Sequence, residues 1–192
     1  LDLKKIEKLV KKTKPKLIFT GATAYSRVWD WRAFSKIAKS AKAYLVADIS
    51  HIAGLVVAGA HPSPFPYADV VMTTTHKTLR GPRGALIMTN NEQLAEKIDK
   101  AVFPGLQGGP HDNQTAAIAV ALKEAASPAF KKYGKQIVKN AKELAKTLIS
   151  EKIKLVSGGT DNHLFLVDLT AKDITGKDAE AALGLANITV NK

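Results

Sequence analysis

Three short apolar runs, each ending on side chains able to do chemistry, set the tightest limit on how this chain can fold. They are Lys16-Leu-Ile-Phe-Thr20, Ala43-Tyr-Leu-Val-Ala-Asp-Ile-Ser50 and Val70-Val-Met-Thr-Thr-Thr75. Runs of this length, rich in β-branched residues, read as buried strands. Between the first two, Trp31 to Lys42 carries Phe34, Ile37, Ala38 and Ala41 at helical spacing. Ahead of the first, Leu3, Ile6, Leu9 and Val10 do the same until Pro15. Strands alternating with helices give an α/β fold. In open sheets of that class, ligands bind beyond the carboxyl ends of the strands. Thr23, Asp48, His51, His76 and Lys77 all fall there.

The rest of the chain fits the same class. Gly54 to Pro66, rich in Gly and Pro, reads as irregular. Arg83 to Thr89 is a further strand, near enough to Val70–Thr75 for a hairpin-like return. Asn91 to Val102 reads as a helix with Leu94, Ile98, Ala101 and Val102 inward. Phe103 to Pro110 is a Gly/Pro loop, and Asp112 is the expected cap of a heavily buried helix reaching Ala126. Pro128 breaks that helix. A long one then runs from about Phe130 to Lys152, with Ile137, Val138, Leu144, Leu148 and Ile149 as its apolar stripe. Leu155–Thr160 and His163–Leu169 read as strands, Thr175–Ala186 as a capped helix, and Ile188–Val190 as the start of another strand. The expected organisation is a large-domain portion over 1–126, a connecting helix over 127–151, and the beginning of a small α/β domain over 152–192.

Composition narrows the function. A length of 192 residues suits one domain or one and a half. No apolar run is long enough to span a membrane. The absence of cysteine rules out disulfides, thiolate metal sites and a cysteine nucleophile, and is compatible with a cytoplasmic enzyme. The missing initiator Met suggests a fragment. A net charge of +12 raises the question of nucleic acid. The lysines, however, are spread along helical faces without interleaved aromatics, which argues for a solvated surface.

The most informative stretch is Thr73-Thr-Thr-His-Lys-Thr-Leu-Arg-Gly-Pro-Arg-Gly84. A lysine delivered to a loop by a buried strand suits Schiff-base chemistry, because burial favours the neutral, nucleophilic amine. An acid at one strand end and a lysine at another are what a pyridoxal phosphate site requires. The lysine condenses with the aldehyde, and the carboxylate keeps the ring nitrogen protonated so that the ring can accept electrons. Backbone N–H groups at Gly108 and Gly109 are candidate phosphate donors.

These residues carry a resemblance. Val46-Ala-Asp-Ile-Ser-His-Ile-Ala-Gly-Leu55, the Thr73–Gly84 stretch and Phe103-Pro-Gly-Leu-Gln-Gly-Gly-Pro-His111 are similar to the serine hydroxymethyltransferase family. So are Ala22-Thr-Ala-Tyr-Ser26 and Ala186-Asn-Ile-Thr-Val-Asn-Lys192. These are pyridoxal phosphate enzymes of the aspartate aminotransferase-like fold, fold type I. The resemblance implies that Lys77 carries the cofactor covalently and that Asp48 pairs with its ring nitrogen. His51 and Thr23 would lie near its phenolic oxygen, and Thr74 beside it. His76 matches a position linked to substrate specificity, and Arg83 an arginine lining the site. Gly108 and Gly109 would reach the phosphate in a neighbouring subunit of a homodimer or dimer of dimers. The implied reaction moves the hydroxymethyl group of serine to tetrahydrofolate, giving glycine and methylenetetrahydrofolate.

Family members are about twice this length. The parts with no counterpart here would supply a ring-stacking histidine, further phosphate and substrate contacts, and the arginine for the substrate carboxylate. The expectation is that the isolated chain is inactive. Rival readings are another fold type I enzyme (an aminotransferase or a lyase), a metal hydrolase using Asp48 and His51 with His61, His76 or His111, and a basic nucleic-acid module. The Thr-Thr-Thr-His-Lys wording argues against the first, and the histidine spacings match no common helical metal motif.

Overall fold

The computed structural model describes residues 1–192. Its centre is a four-stranded sheet of β1 (Leu17–Thr20), β2 (Tyr44–Asp48), β3 (Val70–Thr74) and β4 (Ala85–Met88), paired in that order. The first three are parallel, with Thr20 opposite Ala47 and Asp48 opposite Met72. The fourth returns antiparallel on β3, with Thr74 opposite Ala85. The intervening helices are α1 (Leu3–Thr13), α2 (Trp31–Ser40) and α3 (Ala53–Val57). Then follow α4 (Glu92–Lys100), α5 (Asp112–Ala125) and α6 (Pro128–Ser150). A two-stranded ribbon of β5 (Lys154–Leu155) and β6 (Val167–Asp168) and the helix α7 (Gly176–Leu185) complete the chain. No helix is long and apolar enough to cross a membrane.

Local chemistry explains where the helices start. Asp2, Asp30, Asn91, Ser127 and Thr175 each accept an N–H from three residues on, so donors that the helix itself leaves orphaned are satisfied. Pro128 occupies the first turn of α6, where its missing N–H costs nothing.

Side chains alternate across a strand, so register divides the sheet into two faces. Leu45, Ala47, Val71 and Thr73 share one face and are all buried. Above them lie Trp31, Phe34 and Ala38 of α2 and Ala53 and Leu55 of α3, in one continuous core. Burying each large apolar side chain there contributes about 1.5–3 kcal/mol. The core extends outward to Ala125 and Phe130, where α5 gives way to α6. The opposite face carries Leu17, Phe19, Tyr44 and Ile87, which are 50%, 59%, 50% and 48% exposed. Asp48, Met72 and Thr74 lie on that same open face.

The structure revises several expectations. The Gly54–Pro66 stretch contains the short helix α3, because Ala53, Gly54 and Leu55 are all buried against the strand ends. Helix α5 is largely exposed: only Ala121 and Ala125 are buried, and Val120 and Leu122 face solvent. Its composition is apolar, but within this chain only the α6 side and the Lys77 loop cover it. Asp112 begins α5, and His111 occupies the capping position without a side-chain bond. Leu94, Ile98 and Val102 are only half-buried and Ala101 is exposed. On α6 the buried positions are Phe130, Gly134, Ala141 and Ala145, with Leu144 and Ile149 exposed. Of the strand expected over 155–160 only Leu155 enters β5, of that over 163–169 only Val167 and Asp168 pair in β6, and 188–190 forms no strand.

Candidate active site

The site grows from the carboxyl ends of β2 and β3. In register, Asp48 lies opposite Met72, and Thr74 is two residues further along β3, so Asp48 and Thr74 share a face. Lys77 Nζ donates to Thr74 Oγ1 at 3.0 Å. The amine is thereby brought back to the face that carries the carboxylate. Neither Lys77 nor Asp48 has an ion-pair partner.

Ser50 joins the two strand ends. Its N–H and its hydroxyl both donate to Asp48 Oδ1, at 2.9 and 2.5 Å. The same hydroxyl oxygen accepts the Thr74 N–H at 3.0 Å. Asp48 is thus fixed through one oxygen, and Oδ2 has no donor within the chain. Thr78 ties the next layer: it donates to the His51 carbonyl at 2.9 Å and accepts the Gly54 N–H at 3.1 Å. Gly54 sits so close that a Cβ there would lie 2.1 Å from the Thr78 carbonyl oxygen. Only glycine lets α3 rest on the lysine loop. Gly21 does the equivalent on the other side: at φ +153° its missing Cβ would fall 2.7 Å from the Asp48 carbonyl oxygen. The loop bearing Thr23 is therefore laid directly on the acid strand.

The lysine loop is closed by its own backbone. Thr75, fully buried, donates its N–H to the Gly84 carbonyl at 2.9 Å and its hydroxyl to the Pro82 carbonyl at 2.6 Å. The Gly81 N–H returns to the Thr75 carbonyl at 2.7 Å. Arg80 adopts a left-handed φ of 65° and its guanidinium lies 4.8 Å from the centre of the Tyr133 ring.

His51 feels both charges of the site. Burial lowers its pKa first, the Lys77 ammonium lowers it further, and the Asp48 carboxylate opposes them. Its ring stacks on His163 at 6.5 Å and 18°. His163 is itself held near 4 by burial, with His51 and His61 adding to the same direction. A neutral His51 therefore lies near the amine at neutral pH, with the neutral His163 ring stacked behind it.

Of the residues expected from sequence, Asp48, His51, Thr74 and Lys77 are brought together. His76 adjoins them with a buried Nδ1 that finds no partner. Thr23 is exposed on the loop packed over Asp48. Arg83 is exposed and makes no hydrogen bond or ion pair. Gly108 and Gly109 lie in an exposed loop with nothing within 4 Å of either Cβ position, lining a cleft of about 790 Å³ with Phe103, Gln107 and His111. No three His, Asp or Glu side chains converge into a metal-sized cluster. Sequence reasoning assigned no role to Ser50, Thr78, Asn162 or His163. Ser50, two residues past an aspartate, carries the local signature of a side chain turning back on its backbone. The others depend on contacts far away in the chain.

A family profile described as "Serine hydroxymethyltransferase" matches residues 1–192. The chain belongs to the serine hydroxymethyltransferase family. It is 62% identical over all its residues to the serine hydroxymethyltransferase of Bartonella quintana (strain Toulouse), and covers 44% of that protein. It is 61% identical to those of Rhizobium rhizogenes (strain K84) and Bartonella henselae (strain Houston 1), again covering 44% of each. The chain thus spans less than half the length of these relatives. Serine hydroxymethyltransferases are pyridoxal phosphate proteins of fold type I, and the mixed α/β sheet described above is a partial domain of that fold.

Proposed function

We propose that the Lys77 site holds pyridoxal phosphate. We further propose that, within the whole protein, it serves reversible transfer of the serine hydroxymethyl group to tetrahydrofolate. One observation carries the reading: an amine and a carboxylate, neither engaged in an ion pair, share one sheet face at adjacent strand ends. The donor set fits the cofactor. Lys77 is the group to hold its aldehyde carbon, and Asp48 Oδ2 is free to accept from a ring N–H. Once bound, the cofactor supplies an electron sink for a bond breaking at the substrate's α-carbon.

The chain's own residues prepare that chemistry. Ser50 fixes the Asp48 carboxylate through Oδ1 and leaves Oδ2 directed by that anchor. The Thr74 hydroxyl orients the Lys77 amine. His51 is kept neutral by burial and by the nearby ammonium, so it can accept or donate one hydrogen bond without adding charge. Thr23 offers a hydroxyl from the loop laid over Asp48, and His76 a buried imidazole nitrogen awaiting a partner. Arg83, together with Gly108 and Gly109 from the exposed loop, is proposed to act at a site shared between two copies. The division at 126 and 151 is proposed as the boundary between the cofactor-bearing and small domains.

Adding pyridoxal phosphate to the purified chain should give the visible absorbance of lysine-bound cofactor. Borohydride should trap it on the peptide containing Lys77, and Lys77→Ala should abolish it. Trapping on any other lysine would sink the assignment. The isolated chain is expected to show no serine–glycine exchange, since it spans less than half of its relatives; measurable turnover would overturn that expectation.

A further inference from the structure

The turn between β5 and β6 is fastened to the loop after β1 across 130 to 137 residues of sequence. At its centre is Asn162, which is fully buried. Its Nδ2 donates to the Tyr25 carbonyl at 2.8 Å, and its Oδ1 accepts the Leu164 N–H at 3.1 Å. The Thr160 hydroxyl accepts the Asn162 N–H at 3.1 Å and donates to the Leu164 carbonyl at 2.5 Å. The Asp161 N–H donates to the Ser26 carbonyl at 2.8 Å. At the rim, the Ser26 and Ser157 hydroxyls meet at 2.7 Å, and Arg27 pairs with Asp161 at 3.2 Å while donating to the Ser157 carbonyl. A buried amide with its partners met on both sides is rigid, because each lost bond strands another polar group.

Two consequences reach the Lys77 site. The clasp grips Tyr25, Ser26 and Arg27, two to four residues beyond Thr23. It also sets down His163 next to Asn162, with its ring against His51. The His51 imidazole makes no hydrogen bond within the chain, and His163 Nδ1 is buried without a partner. Neither ring is oriented by a bond of its own, so stacking and the backbone on either side of His163 must do it.

We propose that the Thr160–His163 turn is a positioning device for the cofactor site: Asn162 clamps the loop bearing Thr23 and seats the His163 ring on His51. It rests on the cofactor reading above, but its test does not. The groups facing this ring pair are Lys77 and Asp48 on the His51 side and His61 on the His163 side.

The test compares Asn162→Ala and His163→Ala in the 192-residue chain. Asn162→Ala should raise amide exchange over residues 22–28 about tenfold or more while β2 and β3 keep their protection. His163→Ala should leave that exchange alone and move the His51 ring resonances and their titration. With pyridoxal phosphate added, both variants should weaken cofactor binding about tenfold and shift the pH dependence of the lysine-bound absorbance, which mere destabilisation elsewhere would not do. Unchanged exchange at 22–28 in Asn162→Ala, or unmoved His51 resonances in His163→Ala, overturns the proposal. Absence of cofactor absorbance in the unsubstituted chain overturns only the cofactor reading, since exchange and resonances still decide the positioning. If circular dichroism shows Asn162→Ala unfolded, Ser157→Ala at the rim should raise exchange at 22–28 about threefold, and no rise again overturns it.

Discussion

On one side of the sheet, Leu45, Ala47 and Val71 lie under Trp31, Phe34 and Leu55; on the other, Leu17, Phe19, Tyr44 and Ile87 meet solvent. Both faces are built from the same kinds of residue, and parallel strands ordinarily require cover on both sides. The difference is one of supply. Helices α2 and α3 pack on the first face; on the second, only Val46 and Val70 at the centre of the sheet are buried, and the residues around them stay exposed or half-buried. The Asp48 and Thr74 side chains stand on the second face, at its carboxyl edge. The covered face therefore holds the fold together, whereas the open face presents the groups proposed to hold the cofactor.

The comparison is broken most directly by paired truncations. Leu55, wholly buried on the covered side, should cost about 2–5 kcal/mol when changed to Ala. Phe19→Ala on the open side should change stability by no more than about 0.5 kcal/mol, as exposed positions do. Urea unfolding of the two variants measures both. A loss at Phe19 comparable to that at Leu55 would mean that the open face is covered in solution, for example by a second copy.

Next in size is the seam between the two sides. A methyl at Gly54 would collide with the Thr78 carbonyl, so Gly54→Ala should push α3 away from the lysine loop. The expected cost is about 1–3 kcal/mol, accompanied by weaker trapping of cofactor on Lys77. Loss of stability with full trapping would show that the loop keeps its shape without α3.

How far the chain could be read in advance follows the same division. The strands β1 to β3, the return through β4 and the cap at Thr175 rest on local pattern, and they were legible; the cap at Ser127 is just as local and was not read. So was the gathering of Asp48, His51 and Lys77, because parallel strands deliver their carboxyl ends to one edge; Thr74 was expected there only through the family resemblance. Apolar content was a poor guide to burial. Helix α5 reads as a core helix, yet Val120 and Leu122 are exposed, since hydrophobicity states what a residue prefers and not which neighbour is present. Ser157 to His163 misled for another reason. Its apolar flanks suggest two long strands, but its backbone and polar side chains bond instead to Tyr25, Ser26 and Arg27. No window of local sequence contains both halves of that clasp.

A smaller effect than that at Gly54 concerns pH, and it sharpens the comparison where the two sides meet. His163 is held near pH 4 in the folded chain, against 6.5 unperturbed, by burial first and then by His51 and His61. His61 is lowered as well, mainly by burial, with the Pro62 carbonyl and Asp161 opposing. A depressed imidazole means that the unfolded chain binds protons which the folded chain refuses. Stability is therefore complete above about 6.5, falls as pH drops from there toward 4, and levels off below as the folded ring also protonates. Screening at a ring that is only partly buried reduces the His163 share to about 1–2 kcal/mol. His163→Asn keeps a neutral side chain there and should flatten that part of the slope between pH 6.5 and 4, measured by urea midpoints at intervals of pH. An unchanged slope would locate the acid sensitivity in His61 and its contacts with Trp31 and Pro62, on the covered side of the sheet.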